Sequence, residues 1–153
     1  MIPFRICWYH RSITSRIRHA SESHAMSESP VIAIVDDDEA VRIATASLLR
    51  SAGYETRVFA SAEDFLAAGM DKTAACLIID VRMPGVGGME LQRILCARKC
   101  PIPVLFMTAC DNDAVRRRVL DAGAFCLLEK PFNGDTIMRH LQDALRSAQS
   151  RRD

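Results

Sequence analysis

The amino-acid sequence predicts a doubly wound α/β domain with one five-stranded parallel sheet and five helices on its two faces. Between residues 31 and 148, short apolar runs alternate with stretches whose apolar residues recur at helical spacing. This alternation is typical of parallel strands joined by right-handed helical crossovers. Strands covered on both faces are expected to be continuously apolar, as residues 31–35 are. We expect the domain to comprise residues 30–149, followed by a tail of residues 150–153.

The individual elements follow from apolar periodicity and from the glycine and proline residues that end them. Strands are predicted at residues 31–35, 56–59, 75–80, 104–107 and 124–128. Ser61 and Asp64 form a capping box for a short helix over residues 62–68. The other helices are predicted to turn the following apolar residues toward the sheet: Val41, Ala44, Leu48 and Leu49; Leu91, Ile94 and Leu95; Val115 and Val119; Ile137, Leu141 and Leu145.

Composition narrows the class of protein. The 153 residues are 49% hydrophobic and 25% charged, which is ordinary for a globular domain with a real core. Residues 1–25 hold four arginines and one acidic residue, which leaves 16 basic and 18 acidic residues in the rest, a net charge of −2. This balance does not indicate a nucleic-acid-binding surface. No apolar run reaches the roughly 20 residues that a membrane span requires. We therefore expect a cytoplasmic protein without direct contact to nucleic acid or membrane.

Residues 1–29 are predicted to lie outside the domain, as a disordered or non-native extension. Arginine, serine and histidine are scattered there without a sustained period. Such a composition resembles an organelle transit peptide, but no other feature supports one. A chain that began at Met26 would enter the first strand almost at once. Residues 1–25 are therefore either a disordered extension or sequence upstream of the true start, and both alternatives stay open.

The six cysteines follow no zinc or redox spacing. Cys96 and Cys100 are four residues apart near a predicted helix end and are expected to be able to share a helix face. Two thiolates do not close a zinc site. We expect reduced and mostly buried thiols.

Polar residues follow four of the predicted strands at the point where each strand ends. Asp36 and Asp37 follow the first strand, Asp80 ends the third, Thr108 follows the fourth and Lys130 comes just after the fifth. The carboxyl ends of parallel strands meet at one edge of the sheet, where ligands bind. Three neighbouring carboxylates repel unless a cation lies among them, and oxygen ligands suit Mg²⁺. A carboxylate can also accept a phosphoryl group, whose charge a metal ion and a lysine neutralise.

Five motifs in register make a family resemblance specific: residues 34–38 (IVDDD), 79–85 (IDVRMPG), 107–109 (MTA), 122–124 (AGA) and 129–132 (EKPF). With them, the chain from about Val31 to Ala148 resembles a response-regulator receiver domain of two-component signalling. It resembles in particular the receiver half of transcription regulators of the nitrogen-fixation and LuxR type, where residues 61–66 (SAEDFL) have counterparts. The resemblance implies a flavodoxin-like strand order 2-1-3-4-5.

The resemblance also implies a role for each site residue. Asp80 would accept a phosphoryl group from a phosphohistidine on a sensor histidine kinase or a phosphotransfer protein. Lys130 would pair with the phosphoryl oxygens, and Thr108 would move toward them and so report their presence. Pro131 is expected to follow a cis peptide bond.

The metal ligands implied by the resemblance are mostly carboxylates. Asp37 would bind Mg²⁺ directly, and Asp36 would bind it directly or through water. Asp80 and the backbone carbonyl of Arg82 would complete the protein's share of the metal shell. Flanking residues usually tune access of water, so we expect Arg82 and Cys110 to set the lifetime of the phosphoryl group.

One position departs from the family pattern. Receivers usually carry tyrosine or phenylalanine three residues before the lysine, and this chain has Leu127 there. Phe125 lies two residues earlier and is expected to point to the same side of the strand. The departure puts the aromatic half of the conformational switch in doubt, but not the phosphorylation.

Three functions fit these residues. The first is a single-domain phosphoacceptor switch that signals by docking to an unknown protein. It would act as a monomer or as a phosphorylation-dependent homodimer. It would not be an enzyme, because it turns over no external substrate. The second is a DNA-binding transcription regulator truncated before its output domain. The third is a phosphatase with an aspartate nucleophile on the first strand. Two simpler interpretations also remain. Asp36 and Asp37 could be helix caps. Residues 116–118 (RRR) suggest a docking patch or a nucleic-acid contact, but a short charge run is more often a solvated helix face.

Overall fold

A computed structural model describes residues 29–109 and 112–153 of the chain. The five strands are β1 (Val31–Val35), β2 (Glu55–Phe59), β3 (Cys76–Asp80), β4 (Val104–Thr108) and β5 (Cys126–Glu129). The five helices are α1 (Glu39–Ser51), α2 (Ala62–Ala67), α3 (Gly88–Ala97), α4 (Asp113–Asp121) and α5 (Gly134–Ser150). A short 3₁₀ helix, Met70–Lys72, was not predicted. The extension predicted for residues 1–29 lies, up to residue 28, outside the described residues, and the domain bounds stay a prediction.

All five strands are parallel and lie in the order β2-β1-β3-β4-β5. The doubly wound fold and the order implied by the resemblance are confirmed. The register pairs Val35 with Ile79 and Asp80 with Met107. Residues that follow β1 therefore come beside the end of β3. The register in this way assembles the polar residues at one edge.

Two apolar layers cover the sheet. One layer packs α2, α3 and α4 on one face through residues such as Phe65, Leu91 and Val119. The other packs α1 and α5 on the opposite face through Leu49 and Leu141. Successive strand residues alternate between the layers, which is the period-2 pattern of a pleated strand. Strands β1, β3 and β4 are buried nearly throughout, as expected.

Two helix and strand predictions were wrong in detail. Only Thr56 of β2 is buried, because β2 is an edge strand and does not need to be apolar throughout. The buried face of α1 consists of Thr45, Ala46 and Leu49, and Ala44 is exposed. Small residues carry little apolar area, so the sequence signal for their face is weak.

Cys76 and Cys96 are buried, Cys100 and Cys126 are partly buried, and the other two cysteines lie outside the described residues. The described cysteines are free thiols, and Cys100 does not share a helix face with Cys96 because α3 ends at Ala97. The Cys100 thiol instead donates to the backbone oxygen of Asp71 at 3.0 Å. Burial raises the pKa of Cys126 to about 12. Protonated, buried thiols of this kind are poor metal ligands.

Among the residues that the structure describes, no helix combines the length and the apolar character needed to cross a membrane.

Candidate functional site

The carboxylates of Asp36, Asp37 and Asp80 meet at the carboxyl edge of the sheet. One oxygen from each lies within 4.8 Å of the others. Asp36 is buried, Asp80 is partly buried and Asp37 is exposed. Because β1 and β3 are neighbours in register, the aspartates that follow β1 come directly beside the one that ends β3. The site is therefore an acidic cluster with an anchored inner side and a side open to water.

Lys130 brings the opposite charge to this cluster. Its Nζ lies 2.7 Å from Oδ2 of Asp36 and 3.2 Å from Oδ2 of Asp80. The backbone N–H of Lys130 donates to the backbone oxygen of Thr108 at 2.7 Å, which fixes the lysine to the end of β4. The Lys130–Pro131 peptide bond is cis, as the resemblance implied. Lys130 is thus not a free surface lysine but the cation shared by two acids.

The ionisation of this group reflects both burial and charge. Burial raises the pKa of Asp80 above its usual value, and the neighbouring charge of Asp36 adds to the rise, so that Lys130 only partly offsets it. For Lys130, burial alone favours the neutral amine, but the hydrogen bonds and charges of both aspartates outweigh it and raise its pKa. Lys130 lies closer to Asp36, which explains why it does not fully compensate Asp80. A second cation near Asp80 would relieve the remaining repulsion.

Hydrogen bonds from neighbouring residues fix both the side chain and the backbone of Asp36. Its Oδ1 accepts the N–H of Asp38 at 2.9 Å, and its backbone oxygen accepts Nη1 of Arg42 at 2.7 Å. The cap of α1 is Asp38, whose Oδ1 accepts the N–H groups of Ala40 and Val41. The interpretation of Asp36 and Asp37 as helix caps is therefore wrong. Asp38 takes that role and leaves the other two carboxylates to the cluster.

The loop that follows β3 approaches the cluster through its backbone. The N–H of Val81 donates to the backbone oxygen of Met107 at 2.8 Å, and the N–H of Arg82 reaches Oδ1 of Asp80 at 3.4 Å. Gly88 closes the loop with a 3.2 Å hydrogen bond to the backbone oxygen of Val81. A Cβ at Gly88 would collide with the backbone oxygen of Asp80. The lack of a side chain at Gly88 thus lets α3 approach the site closely, a role that apolar periodicity in the sequence does not indicate.

Thr108 and Leu127 lie in β4 and β5, the two strands that follow β3 in the order of the sheet. Thr108 ends β4 and is buried, and Leu127 of β5 is buried in the layer that contains α2, α3 and α4. Phe125 precedes β5 and packs against the opposite layer. The expectation that Phe125 and Leu127 point to the same side is wrong, because strand alternation applies only within the strand.

Other residues considered in the sequence are not among the three clustered carboxylates. The three arginines at residues 116–118 are exposed on α4, which is compatible with a solvated helix face. Arg82 is exposed, and its backbone N–H lies 3.4 Å from Oδ1 of Asp80. Cys110, predicted to influence the phosphoryl lifetime, lies outside the described residues.

The donor set of the cluster fits a hard divalent cation. Within residues 29–109 and 112–153, the cluster consists of carboxylate oxygens alone, with no nitrogen or sulfur ligand. Mg²⁺ is typically held by one or two carboxylates together with waters and phosphate oxygens. The exposed Asp37 leaves room for such waters on the outer side.

The family model for the response regulator receiver domain matches residues 32–142. The chain belongs to the response-regulator receiver family. Such domains are signalling proteins of two-component systems, which act with histidine kinases or phosphotransfer proteins. The matched range contains every residue of the cluster, Lys130 included.

Relatives and solved structures agree with this assignment. The chain is 36% identical over 118 residues to the transcriptional regulatory protein FixJ of Bradyrhizobium diazoefficiens, across 77% of this chain and 58% of that protein. The response regulator StyR has a solved structure with a TM-score of 0.75 and 38% identity, covering 81% of this chain and 63% of that one. The chemotaxis protein CheY4 of Vibrio cholerae has a TM-score of 0.70 and 27% identity, covering 76% and 98%. The chain thus spans less than two thirds of FixJ.

Proposed function

We propose that this receiver domain is a Mg²⁺-dependent phosphoacceptor switch that receives a phosphoryl group on Asp80. The observation that carries the proposal is the placement of Asp80 between two acids and one lysine, open to water on one side. A carboxylate that must attack phosphorus needs to be ionised and reachable, and Asp80 is only partly buried. Asp36 is fully buried and lies closer to Lys130 than Asp80 does, so it is the poorer nucleophile.

In the proposed reaction, an Oδ of Asp80 attacks the phosphorus of a phosphohistidine on the partner protein. The new O–P bond forms as the P–N bond breaks, and the imidazole leaves with the electron pair of that bond. Lys130 is already within 3.2 Å of Asp80 and would neutralise the oxygens of the transferred group. Thr108, at the end of the neighbouring strand β4, would donate its hydroxyl hydrogen bond to one of them.

Asp36, Asp37 and Asp80 would hold Mg²⁺ together with the backbone carbonyl of Arg82. When bound, the ion would supply Lewis-acid stabilisation of the negative charge on the phosphoryl oxygens. The raised pKa of Asp80 supports this proposal, because a second cation beside it would lower that pKa and favour the ionised form that the attack requires. Lys130 and the N–H of Asp38 hold Asp36 in a single orientation for such an ion.

The proposed output is docking to a partner protein. Phosphorylation adds about two negative charges and three acceptor oxygens at the edge of the sheet. The surface formed by α4, β5 and α5 lies beside that edge and carries a groove with a volume of about 460 Å³, lined in part by Leu120, Leu127 and Phe132. The molecule would act from the cytoplasm as a monomer or as a phosphorylation-dependent homodimer, and would turn over no external substrate.

The test is the intact mass of the protein after incubation with acetyl phosphate and Mg²⁺. We expect a gain of one phosphoryl group in the wild type and none in Asp80→Asn or in a sample with the metal chelated. Peptide mapping that finds the group on Asp36 instead would favour an aspartate-nucleophile phosphatase. No gain from either acetyl phosphate or a phosphorylated kinase would overturn the proposal.

A second function follows from the relatives. FixJ is a transcriptional regulatory protein, and the chain spans 58% of its length. The chain would then be the receiver part of a DNA-binding regulator. Sequencing the transcript beyond the codon for Asp153 distinguishes the two: an open frame that encodes a helix-turn-helix domain would establish the second function.

A further inference from the structure

Glu63 makes a contact across the fold that neither the sequence nor the proposed mechanism accounts for. Its Oε1 accepts a hydrogen bond from the backbone N–H of Val86 at 3.0 Å. Glu63 belongs to the first turn of α2, whereas Val86 lies near the α3 end of the loop between β3 and α3. The bond therefore ties the helix on one side of the acidic cluster to the loop that leaves Asp80.

The helix end of this bond is rigid. Ala62 and Phe65, on either side of Glu63, are buried in the layer that contains α2, α3 and α4. Ser61 caps the helix by accepting the N–H of Asp64 at 3.1 Å. The ring of Phe65 packs edge-on against that of Phe59, with centroids 5.9 Å apart. Because the α2 backbone is fixed in this way, the Glu63 carboxylate can act as an anchor for a less constrained segment.

The loop end of the bond is adapted to the carboxylate. Gly85 has a φ of +74°, in the left-handed region that favours glycine. A Cβ at Gly85 would lie 2.8 Å from Oε1 of Glu63, so a side chain there would displace the carboxylate. Gly85 thus provides both the turn and the space through which Glu63 reaches the next N–H.

The remainder of the loop has few polar restraints. Its two ends are fixed by the backbone bonds of Val81 and Gly88. The backbone oxygen of Gly87 accepts the N–H of Leu91 at 3.0 Å as α3 begins. For residues 82–86, within the described part of the chain, the polar contacts are the 3.4 Å approach of the Arg82 N–H to Asp80 and the 3.0 Å bond of Val86 to Glu63. Val86 and Met83 add only partial apolar burial. The contact with Glu63 is therefore the shorter of the two polar contacts that restrain residues 82–86.

We propose that Glu63 is a positioning residue that fixes the β3–α3 loop, and with it the backbone carbonyl of Arg82, in the geometry that binds Mg²⁺ beside Asp80. This inference rests on the proposed function, since Arg82 matters only if the cluster holds the metal. Glu63 is not one of the three carboxylates of the cluster, so it would act through the loop. The Val86 N–H, as the largest influence, lowers the pKa of Glu63, so the carboxylate is ionised at neutral pH.

The test compares three variants at Glu63 with a matched control. Glu63→Ala removes the acceptor, Glu63→Gln keeps an acceptor oxygen at the same reach without the charge, and Glu63→Asp keeps the charge but shortens the reach. Asp64→Ala removes an equal charge from the same first turn of α2, and the Asp64 side chain makes no hydrogen bond to any described residue. Nitrogen-15 NMR then gives the hydrogen-exchange rate of the Val86 amide and the Mg²⁺ affinity from titration shifts of the loop amides.

We expect Glu63→Ala and Glu63→Asp to speed Val86 exchange and to weaken Mg²⁺ binding by roughly fivefold, the effect of losing one hydrogen bond of ordinary strength. In Glu63→Gln and Asp64→Ala, the Val86 exchange rate and the Mg²⁺ affinity should stay within about twofold of the wild type, because both variants keep an acceptor oxygen at position 63. Unchanged Mg²⁺ affinity in Glu63→Ala would overturn the inference about Glu63 but not the proposed metal site. Mg²⁺ affinity that is retained in Glu63→Asp but lost in Glu63→Gln would also overturn the inference, because the charge and not the hydrogen bond would then be responsible. A wild type that binds no Mg²⁺ at millimolar concentration would overturn the proposed metal site and the inference together.

Discussion

The carboxyl edge of the sheet has two halves that are built differently. At the ends of β1 and β3, the side chains of Asp36 and Asp80 are held by charged hydrogen bonds to Lys130. In the half formed by β4 and β5, Leu127 is held by apolar packing, and Leu120 of the neighbouring α4 is exposed. The first half has the carboxylates of the proposed phosphoryl transfer, to which the strand ends of the second half add only Lys130 and Thr108. The second half has the surface that a partner can contact, so acceptance and output of the signal should be separable by mutation.

Lys130→Met should have the largest effect, because it removes the cation shared by Asp36 and Asp80. Breaking a buried pair by removing one partner typically costs about 3–5 kcal/mol, and we expect the lower end here because Asp80 is reachable by water. Urea unfolding without metal measures this loss. Phosphoryl uptake from acetyl phosphate should fall by roughly 100-fold, as when a charge-stabilising donor is lost.

Lys130→Arg is the control for that variant, since it keeps the charge and should recover most of the stability. If Lys130→Met unfolds at the same urea concentration as the wild type, the acidic half is not held together by this ion pair, and the contrast between the halves fails.

Gly88→Ala tests the close approach of α3 to the acidic half. The added methyl group would collide with the backbone oxygen of Asp80 and lie 3.0 Å from the ring of Phe106. Overpacking of this kind costs about 1–3 kcal/mol. The matched control is Gly87→Ala, where a Cβ meets only the backbone oxygen of Val81 at an ordinary 3.5 Å. Thermal unfolding should separate the two variants, and equal melting temperatures would contradict this role of Gly88.

Asp80→Asn should stabilise the metal-free protein at neutral pH while abolishing phosphoryl uptake. The pKa of Asp80 is raised in the folded state, so its contribution to stability is present below the usual carboxyl pKa and is lost as pH rises through the folded value. The variant should therefore gain up to about 1 kcal/mol over the wild type at pH 7, a value kept small by screening at a partly exposed site.

The difference between Asp80→Asn and the wild type should vanish in acid, where the carboxyl is protonated. Chemical unfolding at several pH values in the presence of a chelator measures it. A variant that is less stable than the wild type at pH 7 would mean that Asp80 stabilises the acidic half.

Leu127→Phe should have the smallest effect on acceptance, because Leu127 belongs to the other half. We expect phosphoryl uptake to change by less than about twofold, since Leu127 packs in the apolar layer and supplies no charge to the cluster. The amide NMR signals of α4 and β5 should shift on phosphorylation more in the variant than in the wild type. A tenfold loss of uptake would show that the two halves are not separable.

Much of the site could be predicted from the sequence because it depends on local patterns. Apolar runs that end in Asp36, Asp80 and Thr108 mark the strand ends, and parallel strands bring their carboxyl ends to one edge. Lys130 itself lies one residue beyond the last strand. The family resemblance supplied the roles of these residues, and the strand order placed them together.

Other features depended on contacts between residues that are distant in sequence. The bond from Glu63 to Val86 spans 23 residues, and the space for it requires Gly85. The approach of Gly88 to Asp80 depends on how closely α3 packs against β3 and β4. Local periodicity contains no information on such distances, because they are set by the crossover geometry and by the packing of whole helices.

The sequence by itself determined the alternation of strands and helices and the residues at the end of each strand, since both follow from the spacing of apolar and polar residues along the chain. Only the tertiary structure decided that Asp38 and not Asp36 caps α1, that Phe125 packs away from Leu127, and that Glu63 holds the loop after Asp80. The physical reason is that a side chain with several possible partners takes the one that packing brings within hydrogen-bond distance.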